Sequence, residues 1–154
     1  MSIRKEIERS WRLSGLPSLP RGVVRIHLEQ IYSRDGLRWR QITHQDGKVE
    51  LEVIKKIFQG SGGEATEYQY DRKLEEWPPN QASMPIIRKW RWIFKDSSLE
   101  YHIDHLYEQQ IYLLDVEIPS LDFHINFPNW LLPVLEEEVT GNVSWSNHNL
   151  AING

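Results

Sequence analysis

The feature that most constrains this chain is a series of segments in which ionisable residues occupy alternate positions. Successive side chains of a β-strand point to opposite faces, so residues two apart share a face. Each segment therefore predicts a strand with one charged face. The sets are Glu6 and Glu8; Arg38 and Arg40; Glu50, Glu52 and Lys56; Glu67, Gln69 and Asp71; Lys89 and Arg91; Glu100, His102 and Asp104; Asp115 and Glu117.

The opposite faces of the same segments are apolar or aromatic, as in Val49, Leu51 and Val53 or in Leu114, Val116 and Ile118. Two arrangements fit this pattern. In an open sheet, the charged face would be solvated and the apolar face would form the core. In a closed barrel, the charged faces would instead line the interior, and the apolar faces would pack beneath loops and helices.

Strand-like segments and short turns alternate along most of the chain. Strands are predicted from Glu6, and over 23–32, 37–43, 49–58, 64–71, 84–94, 99–107 and 111–118, which makes about eight. A short helix is predicted over 72–77, and the tail from Phe127 is less regular, with a short helix or two. This pattern predicts one domain over residues 1–154, of mainly antiparallel β structure with a few short helices.

Several classes of protein are excluded by composition. The chain has 154 residues and no cysteine, so it has no disulfide scaffold, thiolate zinc site or cysteine nucleophile. A formal charge of −4 gives no support for nucleic-acid binding. No apolar run approaches the roughly 20 residues that span a bilayer, and the N-terminus lacks a secretory signal, so a cytoplasmic protein without membrane contact is expected.

A closed barrel with a charged interior needs ligands that balance its charges, because buried like charges repel one another. Arginine and lysine clusters match phosphate oxygens. Carboxylate clusters match Mg²⁺ or Mn²⁺, which prefer oxygen ligands. A small anionic triphosphate bridged by such a metal ion would satisfy both sets.

The same motifs, in their order along the chain, resemble the CYTH or triphosphate tunnel superfamily, which includes class IV adenylate cyclases, thiamine triphosphatases and inorganic triphosphatases. The opening Glu6-Ile7-Glu8-Arg9 resembles the start of its ExExK motif. The later matches are Arg38-Trp39-Arg40 to RxR, Glu67-Tyr68-Gln69 to ExE, Lys89-Trp90-Arg91 to KxR, Asp104 to an acidic position, and Asp115-Val116-Glu117 to a late ExE. The segment from Glu138 to Ala151 is similar to the tail of bacterial members.

This resemblance implies an eight-stranded antiparallel tunnel and metal-dependent hydrolysis of a linear triphosphate, with inorganic tripolyphosphate the simplest substrate. It also allows a homodimer. The implied phosphate-binding residues are Arg12, Arg38, Arg40, Lys56, Lys89 and Arg91. The implied metal ligands are Glu6, Glu8, Asp104, Asp115 and Glu117, and the implied catalytic residues are Glu8, Lys89 and Arg91.

Three positions depart from the family pattern. Ser10 stands at the lysine of ExExK, Ala65 replaces an arginine, and Gln69 replaces the second acid of an ExE pair. Arg12, two residues along the same face, is a candidate substitute for the lysine. The departures leave a second function open: a protein of the same fold that binds phosphoryl ligands without turnover. No feature selects adenine, so a cyclase ranks behind both.

Overall fold

The strands form a closed antiparallel barrel in the computed structural model, which describes residues 2–60, 62–78 and 83–153. Within those ranges there are nine strands, of which the first eight make the barrel. They are β1 (Ser2–Leu13), β2 (Val24–Tyr32), β3 (Arg38–Thr43), β4 (Val49–Gln59), β5 (Glu64–Tyr70), β6 (Ile86–Asp96), β7 (Leu99–Leu106), β8 (Ile111–Glu117) and β9 (Leu135–Glu138). A single α-helix, α1 (Asn147–Asn153), follows in the described part of the tail.

The barrel closes through β1, which is long enough to pair with two strands. The order around the barrel is β5, β4, β3, β2, β6, β7, β8 and β1. The first half of β1 pairs with β5, from Ser2 opposite Gln69, and its second half pairs with β8, from Glu8 opposite Glu117. The end of β1 also pairs with the short strand β9, with Trp11 opposite Glu138. Because the barrel is closed, each of its eight strands pairs with two neighbouring strands.

Short hairpin turns connect the neighbouring strands β2, β3 and β4, as the sequence predicts. Gly36 and Gly47 adopt φ angles of 85° and 90°, in the left-handed region that glycine enters without a Cβ clash. Their amides donate to the carbonyl oxygens of Ser33 and His44, both at 3.0 Å. These turns fix the register in which Arg40 lies opposite Glu52.

The apolar faces point outwards and are covered by loops. One cluster contains Trp11, Tyr101, Ile103, Leu114 and Val116, packed against Ile125 and Leu131 of the segment after β8. A second contains Ile31, Trp39 and Val53, with Trp77 and Met84 packed against it. The closed arrangement of the two predicted from the sequence is therefore the one that forms, and the charged faces line the interior, which we call the lumen.

One end of the lumen is apolar and is filled by the C-terminal segment. Ile87 shares its strand face with Lys89, and Leu113 shares its face with Asp115. Ile87, Leu106 and Leu113 form a buried cluster with Trp145, Leu150 and Ala151 packed against it. The C-terminal segment therefore closes this end of the lumen, and the polar part of the lumen begins beyond the apolar cluster. No helix of the described residues is long and apolar enough to cross a membrane.

Three local predictions differ from the structure. Strand β1 begins at Ser2 rather than near Glu6, because its first residues pair with β5. Within 72–77 the chain forms only a 3₁₀ turn, at Leu74–Glu76. The tail contains β9, whose sequence Leu-Glu-Glu-Glu has no alternation; its pairing with β1 accompanies an ion pair between Arg9 and Glu138.

Candidate functional site

Five cationic side chains on inward faces of β3, β4 and β6 converge in the lumen. They are Arg38 and Arg40, Lys56, and Lys89 and Arg91, which we call the basic cluster. Arg40, Lys89 and Arg91 are buried. Burial and the nearby charges of Arg38 and Arg91 lower the pKa of Arg40 to about 9. The structure therefore brings together five residues that the sequence predicted to bind phosphate.

Asp104 of β7 holds the β6 part of the basic cluster. The Arg91 guanidinium donates from Nε and Nη2 to the two carboxylate oxygens of Asp104, at 2.7 and 2.8 Å. Lys89 Nζ lies 2.7 Å from Asp104 Oδ2 and donates to Asn147 Oδ1 at 2.8 Å. Burial acts against ionisation of Asp104, but Arg91 and Lys89 hold its pKa far below the usual range. These contacts favour an anchoring role for Asp104 over the metal ligation implied by the motif.

Lys89 is the most deeply buried side chain of the basic cluster. Its side chain is 1 % exposed. Burial lowers its pKa to about 7, with Arg91 and Arg40 acting in the same direction and Asp104 opposing them. A bound anion would reverse this effect, because it would compensate the buried positive charges.

The β3 part of the cluster is less completely paired. Arg38 Nη2 donates to Glu52 Oε1 at 2.7 Å, while Arg40 Nη1 contacts the same oxygen at 3.4 Å. Arg40 Nε donates to Gln30 Oε1 at 2.8 Å. Arg38 Nε, however, is buried and has no hydrogen-bond partner. A buried donor without an acceptor is costly, and a phosphate oxygen is one ligand atom that would satisfy it.

Tyr32 also lies in this group, although no sequence pattern singled it out. Its hydroxyl accepts a hydrogen bond from Gln30 Nε2 at 3.0 Å, which leaves its own proton available to donate. Its ring stacks on His148 of α1, with centroids 4.8 Å apart. Burial raises its pKa, against the opposing charges of Arg38, Arg40 and Lys56. On β2 the inward face also carries Ile26, Leu28 and the uncharged Gln30, so no alternation of charged residues marked it.

An acidic group lies beside the basic cluster, on the paired strands β1 and β8. Lys56 connects the two groups, with its Nζ 2.7 Å from Glu6 and 3.6 Å from Glu8. Glu8 lies opposite Glu117 in the ladder, and Ser10 lies opposite Asp115. Burial, followed by the charge of Asp115, raises the pKa of Glu8 to about 8.

Arg4, which was not predicted, neutralises the outer part of this acidic group. It contacts Glu6 at 2.9 Å, Glu117 at 3.1 Å and Glu67 at 3.2 Å. Glu6 keeps a lowered pKa, because Lys56 and Arg4 outweigh the effect of its burial. The least compensated carboxylates of the group are therefore Glu8 and its neighbour Asp115.

The arrangement of these carboxylates fits a divalent metal ion that is bound by the protein and a ligand together. It fits an ion bound by the protein alone less well. Among the residues that the structure describes, no three His, Asp or Glu side chains are grouped to hold a metal ion. Mg²⁺ is commonly bound by one or two carboxylates together with substrate phosphates. The repulsion between Glu8 and Asp115, which contributes to the raised pKa of Glu8, is what such an ion would relieve.

The departures at positions 10 and 65 leave space next to this acidic group. The Ser10 hydroxyl donates to Asp115 Oδ1, and Ala65 is buried opposite Glu6. A cavity of about 60 Å³ lies there, lined by Glu6, Glu8, Ser10, Lys56, Phe58, Gly63, Ala65, Thr140 and Gly141. The small side chains thus place no cation where the motif has a lysine and an arginine.

Arg12 does not join the basic cluster through its contacts. Its guanidinium lies 2.7 Å from Glu137 and 3.7 Å from Glu136, both on β9. It also stacks over Trp145, 4.7 Å from the ring centroid. These contacts favour a role in fixing the C-terminal segment, rather than the phosphate contact predicted from its position two residues after Ser10.

A larger cleft, of about 440 Å³, lies on the outer side of β1 and β9. Its lining includes Arg9, Phe123, His124 and Glu138. Arg9 donates two hydrogen bonds to Glu138, at 2.8 and 2.7 Å. The lumen fits a phosphate ligand better than this cleft does, because it brings together five cations and leaves Arg38 Nε without a partner.

Solved structures of other proteins share this barrel fold. No protein-family profile and no curated protein matches the chain. A structure of the inorganic triphosphatase NE1496 is similar over 96 % of this chain and 97 % of that chain, at 22 % identity and a TM-score of 0.59. A structure of the hypothetical protein NE1496 has the same coverage, at 23 % identity and a TM-score of 0.56.

A more distant similarity is to the PH1819 protein from Pyrococcus Horikoshii OT3, at 10 % identity and a TM-score of 0.52, over 76 % of this chain and 80 % of that chain. At these identities the likeness shows the fold alone. The resemblance predicted from the motifs is therefore confirmed for the fold, a closed eight-stranded barrel shared with an inorganic triphosphatase.

Proposed function

We propose that the chain binds a linear triphosphate in the lumen and hydrolyses it with the help of Mg²⁺ or Mn²⁺. The observation that carries the proposal is the basic cluster, five cations gathered inside a barrel. Their ion-pair partners in the described parts of the chain are Glu6, Glu8, Glu52 and Asp104. By formal charge the five cations outnumber these four carboxylates, and an anion would balance the difference.

In this proposal the cations divide between holding the phosphates and stabilising the reaction. Arg38, Arg40 and Lys56 bind the phosphate oxygens, and the unpaired Arg38 Nε is one donor that a phosphate would satisfy. Lys89 and Arg91 offset the negative charge that develops as the terminal phosphoryl group departs. Asp104 positions these two by its three short contacts.

Glu8 is the proposed base. A water molecule attacks the terminal phosphorus, the bond from that phosphorus to the bridging oxygen breaks, and the Glu8 carboxylate accepts the proton of the water. Without ligand, burial and Asp115 hold this pKa at about 8; a divalent ion beside the two carboxylates would lower it towards neutrality, where the carboxylate can accept a proton. Glu8 and Asp115, with Glu6 and Glu117 beside them, would hold a divalent ion, which supplies charge neutralisation to the phosphate oxygens. With tripolyphosphate, the simplest substrate, the products are orthophosphate and pyrophosphate.

The second candidate function is binding without turnover. The observation that favours it is Ser10, whose neutral hydroxyl donates to Asp115 where the motif has a lysine. A cation at that position would lower the pKa of the neighbouring carboxylates and act on the phosphoryl group. Its loss affects turnover more than binding, because the basic cluster is intact.

A phosphate-release assay tests the proposal. The substrates are tripolyphosphate, ATP and thiamine triphosphate, each with Mg²⁺ and with Mn²⁺. We expect release from tripolyphosphate that depends on the metal and is lost in Arg91→Ala, while Arg25→Ala, at an exposed arginine on the outer face, keeps it. Binding without release would favour the second function, and the absence of both would contradict the two together.

A further inference from the structure

Arg4 joins carboxylates from three strands through one guanidinium. It lies on β1 two residues before Glu6, so the two share the inward face, and it stands directly opposite Glu67 of β5. Its Nη2 contacts Glu6 at 2.9 Å and Glu117 of β8 at 3.1 Å, and its Nε contacts Glu67 at 3.2 Å. A single positive charge therefore serves three negative ones.

The carboxylates are better shielded from water than the arginine that joins them. The side chains of Glu6 and Glu67 are 9 % and 14 % exposed, whereas that of Arg4 is 57 % exposed. Burial acts against the charge of Arg4, but Glu117, Glu67 and Glu6 raise its pKa above the ordinary value. Because the guanidinium is already half in water, it can leave these carboxylates at a lower cost than a buried arginine could.

Two of the three carboxylates lie next to the proposed metal ligands. Glu117 stands directly opposite Glu8 in the ladder, and Glu6 shares the inward face of β1 with Glu8. We propose that Arg4 competes with the divalent ion for Glu6 and Glu117, and so sets the metal concentration at which the site fills. The inference rests on the proposed function, since it concerns the metal ion of that site.

The guanidinium and a divalent ion exclude each other at these oxygens. Mg²⁺ and Mn²⁺ bind carboxylate oxygens directly, and a positive charge held on the same oxygens repels them. Glu8 is not contested in this way, because the cation beside it is Lys56, at 3.6 Å. Without Arg4, Glu6 and Glu117 would become available as further ligands, and the ion would relieve the repulsion between them.

Lys5 offers a matched comparison within the chain. It is the next residue of β1, stands opposite Thr66 and is exposed, with its side chain on the outer face. Lys5→Met removes the same charge as Arg4→Met from the adjacent position but frees no carboxylate of the lumen. The pair therefore separates competition for the carboxylates from a general attraction of metal ions to a less positive protein.

The test measures Mn²⁺ binding to the full chain without triphosphate, from the electron paramagnetic resonance signal of the free ion. The proteins are wild type, Arg4→Met, Arg4→Lys and Lys5→Met. We expect Arg4→Met to bind Mn²⁺ about tenfold more tightly than wild type, because two more carboxylates are free to act as ligands. Lys5→Met, and Arg4→Lys, which keeps a cation near the carboxylates, should both stay close to wild type.

A second readout is the rise in melting temperature when Mg²⁺ replaces a chelator, which should be larger in Arg4→Met than in wild type. Arg4→Gln, which also removes the charge but keeps hydrogen-bond donors, gives the same comparison if the methionine variant does not fold. Equal or weaker Mn²⁺ binding in Arg4→Met, or an equal gain in Lys5→Met, would overturn the inference. So would a melting temperature of Arg4→Met that is lowered and that Mg²⁺ does not restore, because Arg4 would then be only structural.

A separate titration of the same proteins with tripolyphosphate distinguishes this inference from the proposed function. If none of them bound tripolyphosphate while Arg4→Met bound Mn²⁺ more tightly, the proposed function would be wrong and the competition by Arg4 would stand. If tripolyphosphate bound and Mn²⁺ binding were the same in wild type and Arg4→Met, the inference alone would be wrong.

Discussion

Arg91 and Asp104 face each other across adjacent strands, and the guanidinium donates to both carboxylate oxygens at 2.7 and 2.8 Å. Lys89 contacts the same carboxylate at 2.7 Å. One buried acid therefore orients two cations. Removing one partner of a buried ion pair is strongly destabilising, because it leaves uncompensated charge in a low dielectric.

Replacing this acid should measurably weaken the fold. We expect Asp104→Asn to lower the free energy of unfolding by about 3 kcal/mol, since it leaves Lys89 and Arg91 without their shared anion. Urea denaturation measures the change. Asp71→Asn, at an exposed position, is the control and should be near neutral. A loss no greater than that of the control would contradict the anchoring role of Asp104.

Arg38 should contribute to affinity rather than to stability. Its Nε is buried without a partner, and a phosphate oxygen would supply one. We expect Arg38→Ala to weaken tripolyphosphate binding by about 2 kcal/mol, or roughly thirtyfold in Kd. Isothermal titration calorimetry measures this effect. Unchanged affinity would show that the ligand does not contact Arg38.

Ser10→Lys should raise turnover more than affinity. The ammonium group of the new lysine would lie near Asp115, to which Ser10 now donates a hydrogen bond. It would stabilise the negative charge that shifts on the phosphoryl group during the reaction. Ser10→Met, of similar length and without charge, is the matched control. Removing a single such electrostatic group elsewhere costs about 10²–10³ in rate, so partial restoration should be measurable in kcat. A lysine variant no faster than the methionine variant would contradict this account of position 10.

The raised pKa of Glu8 predicts a pH dependence of stability. Burial and Asp115 raise this pKa to about 8, above its value of about 4.3 in an unfolded chain. Between these two pH values Glu8 is protonated in the folded protein but ionised in the unfolded chain. The contribution of this proton to the free energy of unfolding is therefore complete below the unfolded pKa and is lost as pH rises through about 8.

Urea denaturation from pH 5 to pH 8, without ligand and with metal chelated, tests this sign. We expect the free energy of unfolding of wild type to fall more steeply with pH than that of Glu8→Gln, which cannot titrate at this position. Parallel curves for the two proteins would show that Glu8 has an ordinary pKa in the folded state.

The inward faces could be predicted from the sequence because period-two alternation fixes which residues share a face. Arg38 with Arg40, and Lys89 with Arg91, follow from that rule alone. Alternation does not say whether a sheet closes, and the resemblance to known tunnel proteins supplied that step. Closure then brought Lys56 of β4 to within 2.7 Å of Glu6 on β1.

Residues whose roles depend on contacts between distant strands could not be found this way. Tyr32 follows Ile26, Leu28 and the uncharged Gln30 on the inward face of β2, so no charged pattern indicates its place beside Arg38 and Arg40. Arg12 has the expected strand face, but the acidic strand β9, which alternation does not reveal, binds it at the barrel rim. Both outcomes depend on pairing between segments far apart in the chain.

The central claim, that the lumen binds a triphosphate, is tested most directly by thermal unfolding with and without tripolyphosphate and Mg²⁺. A ligand that binds only the folded state stabilises it by about 2.7 kcal/mol at a hundredfold excess over Kd. We predict a clear rise in the melting temperature of wild type and a much smaller one in Arg38→Ala. The same melting temperature with and without tripolyphosphate, in Mg²⁺ and in Mn²⁺, would contradict the claim.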